Sequence, residues 1–155
     1  MLTVWRIVVE QHAHTAFSGE GARLYGGRWN PKGISVIYTA QSQSLAALEM
    51  LAQDMPLRAH YLMIPAKVPK QLIAALDLPQ LPSNWREPAA RSTLQMIGAT
   101  WVNTGQSAVL AVPSVIIPTE LNYILNPKHP DFPKIELGQP TPFTLDMRLL
   151  SNLMQ

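Results

Sequence analysis

Three side chains of different chemistry fall close together in this sequence: Arg28 in GGRWN, Tyr38 in VIYT and Glu49 in LAALEM. A guanidinium is a planar fork of N–H donors that can grip a phosphate or carboxylate through paired hydrogen bonds. A phenol carries one hydroxyl on an apolar body. A carboxylate accepts hydrogen bonds and stabilises positive charge. At the mouth of a cleft, the three together suit a ligand with phosphates and a sugar. Each also has a plain structural reading. Arg28 belongs to a glycine loop whose Trp29 can plug the core, Tyr38 can be a core tyrosine with its hydroxyl satisfied, and Glu49 can be a solvated helix flank.

Whether they meet depends on the elements that carry them. Residues 17–33 hold five of the eight glycines and read as loop. ISVIYT, 34–39, reads as a strand with Ile34, Val36 and Tyr38 on one face. Ser42 or Ser44 can cap a helix over LAALEMLAQDM, 45–55, with Leu45, Leu48, Ala52 and Met55 along one stripe and Glu49 at its border. A strand, a short turn and a helix packing back on the sheet would bring the three side chains together.

The rest of the chain supplies the frame. Residues 3–9 alternate and are rich in β-branched types, so they read as a first strand, with Arg6 on the same face as Val4 and Val8. Residues 59–68 read as a third strand, 69–76 as a short helix behind a proline, and 81–86 as loop. A long helix over 88–103 places Leu94, Ile97, Gly98 and Trp101 at i, i+3, i+4, i+7 spacing. Residues 107–120 read as two short strands broken at Pro113–Ser114, 122–133 as loop, and the tail over 133–150 as two last strands. Strands dominate without a regular βαβ rhythm, there is no repeat, and no linker divides the chain. The expected class is α+β, as one domain over residues 1–155.

Composition narrows the chemistry. The 155 residues include 47% apolar and 14% charged types, no cysteine and a net charge of +2. The missing cysteines remove disulfides, thiolate zinc sites and cysteine nucleophiles. Lysine and arginine are spread out, without the one-sided cluster of a nucleic-acid binder. The N-terminal segment lacks a signal-peptide pattern, and no apolar run approaches the ~20 residues of a membrane helix, so a cytoplasmic protein is expected. Neither GxxxxGK[ST] nor a dinucleotide-binding glycine pattern between a strand and a helix is present. Ser114 lies in VPSV, outside any GxSxG elbow. The histidines at 12, 14, 60 and 129 have no carboxylate cluster, and no metal site is expected.

Taken together, FSGEGARLYGGRWNPKG, VIYTAQSQSLAALE, AVPSVI and NYILNPKHPDF resemble the signature of the RES-domain family, in the same order and over nearly the whole chain. The resemblance implies an ADP-ribosyltransferase-like fold, with a mixed or antiparallel β core and flanking helices. It also implies that Arg28, Tyr38, Glu49 and Ser114 are the catalytic set. Arg6, Asn122 and His129 match family positions and would join Arg28 and Tyr38 in binding substrate. The implied function is that of the toxin of a bacterial toxin–antitoxin pair. It would consume NAD as substrate, with no separate cofactor, by hydrolysis or phosphorolysis of the nicotinamide–ribose bond. The alternatives are ADP-ribosylation of a protein and a non-enzymatic nucleotide-binding module that pairs with an antitoxin. The implied partner is an Xre-type helix-turn-helix antitoxin, the chain forming a homodimer or a hetero-oligomer with that antitoxin, with no direct contact to nucleic acid or membrane.

Overall fold

In a computed structural model, residues 1–53 and 60–153 are described. The elements are β1 (Leu2–Val9), α1 (Glu20–Tyr25), β2 (Ile37–Ala40), α2 (Gln43–Leu51), β3 (Tyr61–Val68), β4 (Ile73–Ala75), α3 (Arg91–Thr104), β5 (Val109–Pro113), β6 (Leu121–Leu125), β7 (Glu136–Leu137), β8 (Thr141–Phe143) and α4 (Met147–Leu153). The strands form one mixed sheet in the order β4-β5-β6-β2-β1-β3-β7, with β8 also paired to β3. Among the described strands, only β4 and β5 run parallel; every other pairing is antiparallel. With helices on this sheet, the chain is α+β, as expected. No described helix is long and apolar enough to cross a membrane.

Two helices cover one face of the sheet. Leu45 and Ala46 of α2 pack with Ala40, Met63, Trp5 and Ile7. Leu94 and Trp101 of α3 pack with Leu110, Val112, Ile124 and Trp29. Behind the sheet, Val4, Ile37, Ala66, Val68, Val109 and Leu125 form a second core layer under Leu72, Ile135, Phe17 and Phe132.

The middle of the sheet is uneven. β1 and β3 pair along their whole length, from Leu2–Val68 to Val9–Tyr61. By contrast, β1 and β2 share the single register pair Trp5–Ala40. Beyond that pair the two strands part, and the backbone groups on the inner edges need other partners.

Several expectations are corrected. Residues 69–76 are a 3-10 turn followed by β4, because Ile73, Ala74 and Ala75 pair with Val109, Leu110 and Ala111. So short a segment gains more from sheet pairing than from an isolated helix. The second strand expected within 107–120 does not form. The chain turns at Ser114, and the strand that returns beside β5 is β6, in a stretch read mostly as loop. Short helices α1 and α4 lie in segments read as loop and strand. In α2 the buried residues are Leu45, Ala46 and Met50, whereas Leu48 and Ala52 of the expected stripe are exposed, and the helix ends at Leu51. Met55 of the expected stripe and residues 54 and 59 of the expected elements lie outside the described residues. Ser42 is the α2 cap, its hydroxyl accepting from Leu45 N at 3.1 Å. The α3 stripe is as expected, with Leu94, Gly98 and Trp101 buried.

Candidate active site

The glycine segment resolves into a tight turn. Gly27 N–H donates to Asn30 O at 2.9 Å, which leaves Arg28 and Trp29 as the two central residues. Trp29 turns inward and is 2% exposed, so it does plug the core. Arg28 turns the other way, half-buried at the wall of a cleft of about 880 Å³. The buried tryptophan is the anchor that fixes the arginine's direction.

Tyr38 holds this turn from beneath. Its hydroxyl accepts from Trp29 N–H at 3.0 Å and donates to Asn30 Oδ1 at 2.5 Å. Asn30 is fully buried, and its amide donates to the carbonyls of Ala22, Pro31 and Ile34. The phenol's acidity is pushed far down, its pKa raised chiefly by burial, so the hydroxyl stays protonated. Gly27 belongs to the same device. A Cβ there would lie 2.5 Å from the Tyr38 hydroxyl oxygen, so only a glycine lets the two approach.

Glu49 enters from α2. Ala46, Glu49 and Met50, at i, i+3 and i+4, form the helix face that lines the cleft, with Gln53 just beyond the helix end. Ser114 Oγ donates to Glu49 Oε1 at 2.9 Å. That serine is fully buried, and its oxygen accepts from the N–H groups of Ile116 and Ile117 at 3.1 Å each. With both acceptor positions taken, its proton can only be aimed at the carboxylate. No described residue donates to Glu49 Oε2.

Arg6 lines the cleft where β1 and β2 part. Its Nε donates to Ala16 O at 2.8 Å and its Nη1 to Tyr38 O at 2.9 Å, supplying a donor that the interrupted strand ladder lacks. Burial pulls its pKa down to about 10, still leaving it charged at neutral pH. Asn122, on β6, also lines the cleft and donates to Thr39 O at 3.3 Å.

His129 stands elsewhere, outside the residues that line this cleft. Its Nδ1 accepts from Asp131 N–H at 3.0 Å, which leaves Nε2 as the donor to Gly105 O at 3.1 Å. The ring ties the loop after β6 to the C-terminus of α3. Of the seven expected site residues, Arg6, Arg28, Tyr38, Glu49 and Asn122 therefore line one cleft, and Ser114 stands behind Glu49.

Arg91, at the start of α3, lines the cleft as well and was not singled out from sequence. A signal existed: α3 has no acidic residue in its first turn, where the helix dipole favours acids over a cation. Arg28 holds its proton less tightly than an ordinary arginine, first because of burial and then because of the Arg91 charge, with Glu49 acting in the opposite sense. Two carboxylates line the cleft: Glu20 is tied up by Arg23, whereas Glu49 is backed by a serine and faces a region of excess positive charge.

The model of the RES domain family matches residues 3–146. A protein named Toxin Res from Yersinia enterocolitica is 38% identical over 151 residues, spanning 96% of this chain and 99% of that protein. A protein named Prs ADP-ribosylating toxin from a Sphingobium species is 34% identical over 156 residues, spanning 94% of this chain and 95% of its own. Among solved structures, the crystal structure of the M. tuberculosis MbcT-MbcA toxin-antitoxin complex contains a chain of the same fold. The TM-score is 0.72 at 20% identity, covering 92% of this chain and 84% of that one. With a family match over most of its length and homologous toxins aligned along nearly their whole lengths, the chain belongs to the RES-domain family of toxins.

Proposed function

We propose that this protein breaks the nicotinamide–ribose bond of NAD and acts as the toxin of a toxin–antitoxin pair. The observation that carries the reading is the Glu49 carboxylate, fixed by Ser114 at one oxygen, facing a cleft that also holds the unpaired Arg28. Breaking this bond builds positive charge on the ribose. Glycoside hydrolysis ordinarily needs a second carboxyl group to protonate a leaving oxygen. Nicotinamide departs from a pyridinium as a neutral base, taking the bonding electron pair, so no acid is required. One preorganised carboxylate is the matching equipment: Glu49 Oε2 can accept from a ribose hydroxyl and stabilise the developing charge at the anomeric carbon. Arg28 suits the phosphates. Tyr38 contributes its ring to the cleft wall and its hydroxyl to holding the turn.

Water or inorganic phosphate would then close the ribosyl cation, giving ADP-ribose or its 1-phosphate. A second reading, transfer of ADP-ribose to a protein side chain, is supported by the Sphingobium relative, whose name describes an ADP-ribosylating toxin. The proposed cellular partner is an antitoxin, of the Xre helix-turn-helix type, in the cytoplasm. The MbcT chain in its toxin–antitoxin complex, similar in fold, supports a partner of that kind.

The test is incubation of purified protein with NAD, with and without phosphate, while free nicotinamide is measured. Release in buffer alone supports hydrolysis, release only with phosphate supports phosphorolysis, and release only with a protein acceptor supports transfer. Absence of nicotinamide under all three conditions would leave a non-enzymatic module.

A further inference from the structure

Six arginines are described, and four of them are paired. Arg23 holds Glu20, Arg148 holds Asp146, and Arg6 and Arg86 donate to carbonyls. Arg28 and Arg91 have neither a hydrogen bond nor a salt bridge to any described residue, and both line the same cleft. Their charges repel, the Arg91 charge making Arg28 hold its proton less tightly while Glu49 offsets only part of this, so the fold must keep both in the cleft against their own charge.

The way α3 is seated shows how. Arg91, Gln95 and Gly98 follow at i, i+4 and i+7 and therefore share one helix face. Gly98 meets the arginine turn with no space for a side chain, since a Cβ would lie 1.6 Å from Trp29 O. One turn earlier, Gln95 Nε2 donates to Gly27 O at 2.9 Å. One turn earlier again, the same face brings Arg91 over the segment that carries Arg28. The helix is clamped to the turn at two points, and the third residue of the face is left to reach the ligand.

We propose that Arg28 and Arg91 form a two-arginine clamp for the diphosphate of a dinucleotide substrate, one guanidinium to each phosphoryl group. This assignment deepens the NAD reading above and rests on it. A diphosphate matches the site's chemistry: two adjacent anionic groups meet two adjacent forked cations, and binding removes the repulsion between the arginines.

The experiment compares the unmodified protein with Arg91→Gln and Arg91→Lys, folding being checked by thermal melting. Arg91 is exposed, and its replacement removes no internal hydrogen bond. Binding of ADP-ribose is measured by calorimetry, and nicotinamide release is measured from NAD and from nicotinamide riboside, which has no diphosphate. The Kd for ADP-ribose should rise about 10- to 100-fold in Arg91→Gln, the range expected for losing charge-assisted hydrogen bonds. The kcat/KM preference for NAD over the riboside should fall by a similar factor, with Arg91→Lys between. Equal ADP-ribose affinity in all three proteins, or no binding to any, would overturn the clamp. A change confined to the dependence on inorganic phosphate would overturn it too, by assigning Arg91 to the acceptor. Arg91-dependent ADP-ribose binding without nicotinamide release would sink the NAD-cleavage reading and leave the clamp standing.

Discussion

The Ser114 hydroxyl lies 2.9 Å from Glu49 Oε1, although the two residues are 65 positions apart in sequence. Two backbone N–H groups fill the hydroxyl's acceptor positions, so the proton points at the carboxylate in every rotamer the site permits. Ser114→Ala removes that donor and leaves the N–H groups of Ile116 and Ile117 without an acceptor. We expect about 1–3 kcal/mol of lost stability, the cost of buried unsatisfied groups. Nicotinamide release should show kcat falling more than KM rises, because the carboxylate is still present but less well held. A variant with unchanged kcat would make the contact purely structural.

Glu49→Gln keeps the shape and removes the charge. If the carboxylate acts on the developing ribosyl cation, the rate should fall by roughly 10²–10³, as when one preorganised stabilising group is lost. Expression of this variant should no longer slow growth or deplete NAD. Unchanged NAD consumption by the folded variant would dismiss Glu49 from the chemistry.

Arg28→Lys keeps the charge and loses the fork. A paired grip on phosphate cannot be reproduced by an ammonium group, so KM for NAD should rise by about tenfold or more. A purely solvent-facing arginine would tolerate the change, and full activity would reduce Arg28 to surface charge.

Gly27→Val tests the Tyr38 prop. Its Cβ would meet the phenolic oxygen at 2.5 Å, so the turn must lift, with a cost of about 1–3 kcal/mol and a misdirected Arg28. Tyr38→Phe removes the nearest of the obstructing atoms, while the ring Cζ and Asn30 Oδ1, each 2.8 Å from that Cβ, remain, so relief is partial. In a double-mutant cycle, the two changes should cost less together than the sum of each alone. Additive costs, measured by urea unfolding, would place the clash elsewhere.

Tyr38 also makes an alkaline prediction. Its pKa is raised in the folded protein, so folding retains a proton that the unfolded chain releases near pH 10. The stability from this retention is complete below that pH and declines as pH rises through it toward the folded value. The stability gap between the unmodified protein and Tyr38→Phe should therefore be constant from pH 7 to 9 and narrow above pH 10. A gap that stays constant through pH 11 would show that burial does not hold that proton.

Much of the site was legible because its parts are local. Arg28, Tyr38 and Glu49 sit on a successive turn, strand and helix, and loop chemistry and periodicity are sufficient to bring them together. Ser114 was legible only through family resemblance, since nothing near it in sequence points to Glu49. Tyr38 admits both a substrate-facing and a core reading in sequence; its hydroxyl is satisfied, as in the core reading, but by Trp29 and Asn30, partners that no spacing rule encodes. The need for glycine at 27 is not legible in sequence, because it comes from the approach of the Tyr38 hydroxyl and Asn30. β4 and β6 were misread because their partner is β5: the apolar Ile73–Ala75 segment suits a helix until the sheet edge claims it. In β6, flanking asparagine and proline masked a strand that β2 and β5 hold on both sides.

The single-pair junction of β1 and β2 gives the sheet a mechanical character. It behaves as two stiff plates, β4-β5-β6-β2 and β1-β3 with its edge strands, meeting along a seam with one rivet at Trp5–Ala40. Away from that rivet, the angle between the plates is set by side chains: Arg6 bridging to Tyr38 O, and α2 lying over both plates. Such a joint has fewer backbone bonds to resist bending than a continuous ladder, and residues of both strands line the cleft beside it. Substitutions at Arg6 would act as adjustments of aperture, changing what the cleft admits while leaving the Ser114–Glu49 contact in place.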